Sequence, residues 1–134
     1  MKVRALLAET AAAHQDGTVS ILRAGITRVW GEKPPVHLQG CLVVRIEGDL
    51  TDKGSHQFDV RCMDEDGAEV MPKLSGQFAV PQGGAVQNLL LVFGTQFERL
   101  GTYVFTVRID NAEQDRWSIK VVQRGVDAKQ KGAS

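Results

Sequence analysis

Large apolar side chains recur at every second position near the end of the sequence. Between residues 103 and 110 the odd positions are large and apolar, and the even positions are mostly polar. A period of two places successive side chains on opposite faces of a strand, whereas a helix needs a period near 3.6. Residues 117–121 alternate in the same way, and turn-forming residues 111–115 separate the two runs. The sequence therefore predicts a β-hairpin here.

The middle of the chain carries the same alternation. Residues 37–46 and 57–62 alternate on either side of a polar loop at 49–54, which predicts a second hairpin. Residues 86–93 are apolar at both odd and even positions. A strand that is apolar on both faces is typical of a central position in a sheet, and we expect one here.

Turn and breaker residues divide the remaining strands. The Asp-Gly pair in residues 64–67 predicts a turn, and Pro72 interrupts the strand that follows, which favours an edge position. Residues 18–30 resemble one strand with a bulge at Ala24 and Gly25. Residues 4–14 have good helix propensity, but 3–9 also fit a strand. Because everything downstream is β, we favour the strand.

About eight short strands at turn spacings of roughly 8–12 residues indicate a single antiparallel β-sandwich. Tyr103 lies two residues after Gly101 at the start of a strand. This spacing is similar to the tyrosine corner of immunoglobulin-like sandwiches, in which the phenol donates a hydrogen bond back to the loop. We therefore expect an immunoglobulin-like all-β domain at residues 1–124 and a flexible polar tail at residues 125–134.

Composition narrows the class of protein. The chain has 134 residues, enough for one domain, with 43% hydrophobic and 24% charged residues. Sixteen basic residues balance sixteen acidic ones, so we expect no nucleic-acid or membrane-surface partner. The sequence has no signal-peptide pattern and no apolar run of membrane-spanning length. We expect a cytoplasmic protein.

The reactive residues form no recognisable catalytic set. Cys41 and Cys62 fall on opposite faces in the predicted register, so we expect free thiols, one buried and one half-exposed. The three histidines are scattered, and we expect them at solvated or strand-surface positions without metal-ligand spacing. The sequence contains no phosphate-binding loop, dinucleotide fingerprint, zinc-protease motif or nucleophile elbow. We therefore predict a non-enzymatic protein without cofactor or metal.

Apolar residues at outward positions give the one positive indication of function. Val43, Leu90, Val92 and Val122 occupy strand positions that should face away from the core. An apolar patch on a small domain is typical of a binding surface. We predict a protein-binding or assembly module that acts through a sheet face or an edge strand, with another protein or a second copy as partner. The alternative is a small-ligand or carbohydrate site at Arg28, Trp30 and the adjacent loop.

Several short segments resemble a known family. They are residues 5–9, 16–22, 25–30, 64–67 and 101–105. From Leu6 to Val121 the chain resembles a family of small uncharacterised bacterial and phage-associated proteins of unknown function. The resemblance implies a β-sandwich and supports a first strand at the amino terminus. It implies no activity and no site residue.

Overall fold

Nine β-strands make up most of residues 1–124, the part of the chain that this computed structural model describes. The strands are β1 (Lys2–Ala13), β2 (Val19–Ala24), β3 (Arg28–Gly31), β4 (Val36–Gly48), β5 (Gly54–Met63), β6 (Leu74–Val80), β7 (Ala85–Phe97), β8 (Gly101–Ile109) and β9 (Ala112–Gln123). A short 3-10 helix, Leu50–Asp52, connects β4 to β5. The predicted all-β fold is confirmed, with nine strands instead of about eight. The predicted tail at residues 125–134 lies outside the described residues.

The strands form two sheets. Sheet A has the order β2-β1-β4-β7, and sheet B has the order β3-β9-β8-β5-β6. Neighbouring strands are antiparallel except β3, which runs parallel to β9. The prediction of a wholly antiparallel structure is wrong at this one pair, because β3 does not return directly beside the strand that precedes it.

The core consists of the apolar faces of both sheets. The fully buried large side chains include Leu7, Leu42 and Ile46 from sheet A and Phe105 and Ile119 from sheet B. Aromatic rings from the two sheets meet there. The ring centroids of Phe93 and Phe105 are 5.2 Å apart, a separation at which tilted rings attract. The alternation in the sequence thus supplies each sheet with one buried face.

The hairpin predicted from the last two alternating runs is confirmed. β8 pairs with β9 along its whole length, with Phe105 opposite Trp117. The turn is shorter than predicted and is made by Asp110 and Asn111, which both have positive φ. The indole N–H of Trp117 donates a hydrogen bond of 2.7 Å to the carbonyl of Ile26. The ring therefore closes the end of the core and satisfies its one polar group.

The amino terminus is a strand, as favoured from the sequence, and it extends to Ala13. Residues Lys2 to Ala8 pair with β4, and residues Ala8 to Ala13 pair with β2. The first half of β1 also lies beside sheet B, because the amide of Ala5 donates a 2.7 Å hydrogen bond to Asp115 Oδ2 on β9. This contact links the two sheets.

Two predictions about strand neighbours are wrong. β4 and β5 do not form a hairpin, since they belong to different sheets. Asp49 begins the 3-10 helix between them with a reciprocal capping box to Asp52, and this turn carries the chain across to the other sheet. β7 is an edge strand and not a central one. Its second apolar face reflects an apolar outer surface instead of burial in the middle of a sheet.

The segment at residues 18–30 is two strands, not one bulged strand. β2 ends at Ala24, and Gly25 follows with a φ of 86°, a conformation that glycine adopts without strain. The chain then crosses from sheet A to sheet B, where β3 begins at Arg28. Farther along, β6 begins at Leu74, two residues after Pro72, and is the edge of sheet B, the position that the proline predicts.

The hydrogen bond expected at the tyrosine corner is present. The phenol of Tyr103 donates to the carbonyl oxygen of Arg99 at 2.7 Å. The guanidinium of Arg99 in turn contacts Asp64 at 3.0 Å and Asp66 at 3.1 Å. This network fixes the loop between β7 and β8 to the turn that follows β5.

Candidate interaction surface

The face of sheet A that is turned away from sheet B carries two rows of apolar residues, each running across three strands. One row is Leu6, Val43 and Leu90, and the other is Ala8, Cys41 and Val92. We call these six residues the apolar rows. Their neighbours along each strand, such as Leu7, Leu42 and Leu91, face the core, because side chains alternate between the two faces of a sheet. The structure thus brings Val43, Leu90 and Val92 together on one outward face, as the sequence suggested.

Exposure differs strongly within the apolar rows. Val92 at the sheet edge is 75% exposed, whereas Val43 is only 4% exposed. The expectation that Val43 is a surface residue is therefore wrong, although it does point outward. It lies on β4 between β1 and β7, so Leu6 and Leu90 flank it on both sides. Val43 and its neighbours Ala8 and Cys41 are buried without belonging to the central core.

The free edge of sheet A borders these rows. Among the described residues, β7 pairs only with β4, and its other side has no paired strand. β7 has 13 residues and none is charged. Edge strands usually carry lysine, proline or a bulge that prevents pairing with another chain. β7 has none of these, and its most exposed apolar side chain is Val92.

The two cysteines are free. Cys41 lies on the outer face of sheet A, and Cys62, on β5 of sheet B, points into the core between the sheets. Cys62 is fully buried in the core, and burial raises its pKa to about 12. Cys41 belongs to the apolar rows, and burial also raises the pKa of its thiol. The predicted absence of a disulfide agrees with the structure. The expected half-exposed thiol is wrong, since Cys41 is only 1% exposed.

Arg28 and Trp30 lie in a different place, on edge strand β3 of sheet B. They line an open cleft of about 670 Å³ where β2 and β3 separate. Arg23 and His37 also line the cleft, and so does Glu9, whose carboxylate contacts Arg23 at 3.5 Å. The cleft combines an aromatic ring with several cationic groups. Val122 pairs with Trp30 in sheet B and is therefore not part of the apolar rows.

His56 lies on strand β5 and has hydrogen-bond partners for both of its ring nitrogens. Its Nδ1 lies 2.6 Å from Asp110 Oδ2, and its Nε2 lies 2.6 Å from the carbonyl of Asp52. The hydrogen bond to Asp110, followed by the one to Asp52, raises the pKa of His56, and the imidazole lowers the pKa of Asp110. The side chain of His56 is 16% exposed. This pair ties the 3-10 helix to the β8–β9 turn and lies outside any cleft described above.

The acidic segment after β5 acts as a turn. Asp64 Oδ1 accepts hydrogen bonds from the amides of Asp66 and Ala68, and these bonds lower the pKa of Asp64. Arg99 balances the charge, and Glu65 accepts from the amide of Thr102 at 2.8 Å. Within residues 1–124 no group of three or more histidine, cysteine or acidic side chains is arranged to hold a metal ion.

Fold and surface together define the class of this protein: an all-β chain with two sheets and an apolar outer face beside a free edge strand. Residues 3–122 match a family described as a family of unknown function (DUF6941), and the chain belongs to that family. This match confirms the resemblance to a family of unknown function. The description of the family names no enzymatic activity. No curated protein and no solved structure matches the chain. Among the residues that the structure describes, no helix has the length and apolar character needed to span a membrane.

Sequence reasoning missed half of the apolar rows. Leu6 and Ala8 were not singled out, and Cys41 was expected to point outward but was not assigned to the apolar surface, because the neighbours of β1 and β4 were not known from the sequence. A usable signal exists in β4, where residues 41–44 are all apolar. A strand interior that lacks alternation has two apolar faces, and only one of them can face the core.

Proposed function

We propose that this protein is a non-catalytic assembly module that binds another protein chain through the outer face of sheet A and the free edge of β7. The observation that carries the proposal is the position of Val92. It is a 75% exposed valine at the end of an apolar row, on an uncharged strand whose outer edge has no paired strand among the described residues. Exposed apolar surface beside an open strand edge is the combination that strand addition uses, with backbone hydrogen bonds and side-chain contacts acting together.

The strand order gives the proposal further support. We infer an immunoglobulin-like sandwich in which β1, β4 and β7 take the places of strands A, B and E, and β5, β8 and β9 take the places of C, F and G. The tyrosine corner at the start of β8 fits this assignment. In constant-type immunoglobulin domains a strand D lies beside strand E. Here the chain passes from β6 to β7 through residues 81–84 without such a strand.

Site-specific photo-crosslinking tests the proposal. A benzophenone amino acid replaces Val92 in one variant and Leu50 in a control variant. Leu50 is 66% exposed on the 3-10 helix, outside the strands of sheet A and outside the apolar rows. After irradiation in a lysate of the source cells, we expect a discrete protein adduct from position 92 and none from position 50. No adduct at 92, or the same adducts at both positions, would contradict the proposal.

The cleft at Arg28 and Trp30 supports a second candidate, the binding of a small anionic or carbohydrate ligand. The observation in its favour is an aromatic side chain in a cleft of about 670 Å³ with arginine and histidine side chains around it. The chain has two tryptophans, so a Trp117→Phe background leaves Trp30 as the reporter. A change in its fluorescence on titration with nucleotides or sugars supports this function, and an unchanged spectrum with both classes removes it.

A further inference from the structure

We propose that the chain which occupies the edge of β7 is a second copy of this protein, paired antiparallel β7 to β7 about a two-fold axis at Leu91. The inference rests on the proposed function and names its partner. Leu91 is the middle residue of the 13-residue strand. In an antiparallel pair with this centre, Leu91 meets its own copy on the axis and every other contact occurs twice, as a two-fold interface requires.

The composition of β7 suits pairing with itself. A charged residue close to the two-fold axis of a self-paired strand lies near its own copy, and like charges placed in this way destabilise the pair. β7 contains no charged residue, so a copy of the strand introduces no repulsion. The other sheet edges fit less well. β2 and β3 are short and carry Arg23 and Arg28, and β6 has only seven residues.

The register about Leu91 also makes the outer face continuous. Leu90 of one copy lies opposite Val92 of the other, so the row that ends at Leu90 continues into the second copy's row that begins at Val92. Each composite row then crosses six strands with an apolar residue on every strand. The second copy's Leu90 covers Val92, which is the most exposed large apolar side chain described. Glycine and polar side chains pair farther out, where Asn88 lies opposite Gly94.

Contacts on the inner side of β7 leave the edge available. Gln87 donates to the carbonyl of Ala79 at 3.0 Å, and Thr95 donates to the carbonyl of Val70 at 3.4 Å. Both side chains belong to the core-facing set of β7, which alternates with the outward set of Leu90 and Val92. These contacts therefore join β7 to β6 and to the segment between β5 and β6, without a strand being added to its edge.

The size of the interface predicts a reversible dimer. Thirteen residues at about 3.4 Å each give an edge about 44 Å long, and a sheet about 10 Å thick gives a projected area of about 440 Å² per copy. The total of about 900 Å² lies below the 1,200–2,000 Å² that is usual for stable complexes. We expect a dimer that dissociates on dilution.

Mass measurement by light scattering and sedimentation, over the widest concentration range that the protein tolerates, tests this inference. The wild type is expected to change from monomer to dimer as concentration rises. Val92→Lys places an ammonium group against an apolar side chain twice in each dimer, and we expect it to weaken association about a hundredfold or more. Leu50→Lys changes another strongly exposed apolar residue, outside the strands of sheet A; it is the control and should associate like the wild type.

A compensating variant makes the register itself testable. In the chain that carries both Leu90→Glu and Val92→Lys, each introduced ammonium faces an introduced carboxylate of the other copy. We expect this double variant to recover most of the association that Val92→Lys loses. The exposure of Val92 leads us to expect that Val92→Lys keeps the β fold. Leu90 is half-buried, so circular dichroism and a thermal melt must show that the double variant is folded before its association is compared.

Each contrary outcome has a distinct meaning. A wild type that stays monomeric at every concentration overturns the second copy as partner, and the photo-adduct at position 92 then decides separately whether a different protein binds there. A dimer that resists Val92→Lys, or that Leu50→Lys disrupts equally, overturns β7 pairing. A double variant no better than Val92→Lys overturns the register about Leu91.

Discussion

Replacement of Tyr103 by phenylalanine removes one hydroxyl group and leaves the ring in place. Tyr103 is 3% exposed, and its ring packs against Phe97 with centroids 4.5 Å apart. The lost interaction is the 2.7 Å hydrogen bond to the carbonyl of Arg99. Because Arg99 is exposed, water partly replaces the donor, so the cost is that of an ordinary hydrogen bond, about 1–1.5 kcal/mol.

This cost converts into a measurable shift of the thermal midpoint. An unfolding entropy of about 2.1 cal/mol/K per residue gives about 0.28 kcal/mol/K for 134 residues. The expected decrease in Tm is therefore about 4–5 °C for Tyr103→Phe. Urea unfolding followed by tryptophan fluorescence should show a lower midpoint with an unchanged slope, since the surface exposed on unfolding stays the same.

Two control variants show whether the effect of Tyr103→Phe comes from the lost hydrogen bond. Thr102→Ala changes the exposed neighbour of Tyr103, and we expect its free energy of unfolding to stay within about 0.5 kcal/mol of the wild type. Tyr103→Leu removes the ring as well and should cost clearly more than Tyr103→Phe. If Tyr103→Phe unfolds at the same midpoint as the wild type, the corner hydrogen bond does not stabilise the β7–β8 connection and the reasoning fails.

Three further outcomes follow from the buried and titrating groups. The hydrogen bonds to Asp110 and Asp52 raise the pKa of His56 above 6.5. The stability that comes from its pairing with Asp110 is therefore fully present below pH 6.5 and is lost as the pH rises through the raised pKa. Urea midpoints measured across this pH range should decrease in the wild type and decrease less in His56→Gln. The thiols of Cys41 and Cys62 should react with a disulfide reagent only slowly until denaturant is added, because both are buried. Phe105→Ala, at a fully buried position, should cost about 3–5 kcal/mol in urea unfolding.

Local patterns in the sequence predicted individual strands well. β8 and β9 follow from strict alternation, because the same side chains that alternate in the sequence fill the core. The strand favoured at the amino terminus is also confirmed, although alternation does not mark it. Helix propensity is a weak preference, and the pairing of β1 with β4 overrides it.

Neighbour relations between strands were harder to predict. The loop at residues 49–54 looks like a hairpin turn, but its capped 3-10 helix sends β5 to the other sheet. β7 looks central because both of its faces are apolar, yet it is an edge. Alternation records how many faces are apolar, and it contains no information about which sheet a strand joins or what covers its second face.

The candidate surface, like the fold, was predicted only in part from the sequence. The outward orientation of Val43, Leu90 and Val92 follows from their parity within each strand, and the structure places them on one face. Their different exposure depends on position across the sheet, which parity does not specify. Arg28 and Trp30 were selected for their residue types and for the loop that follows them. The cleft that they line instead adjoins the chain crossing at Gly25, which the sequence suggested only as a bulge.

The parallel pairing of β3 with β9 has a mechanical consequence. Four residue pairs, from Arg28 with Lys120 to Gly31 with Gln123, join the amino-terminal third of the chain to its last strand. When tension applied at Met1 and at the end of β9 reaches β3, the two strands are pulled in opposite directions along their length. The backbone hydrogen bonds of this pair then bear the load together in shear instead of opening one after another.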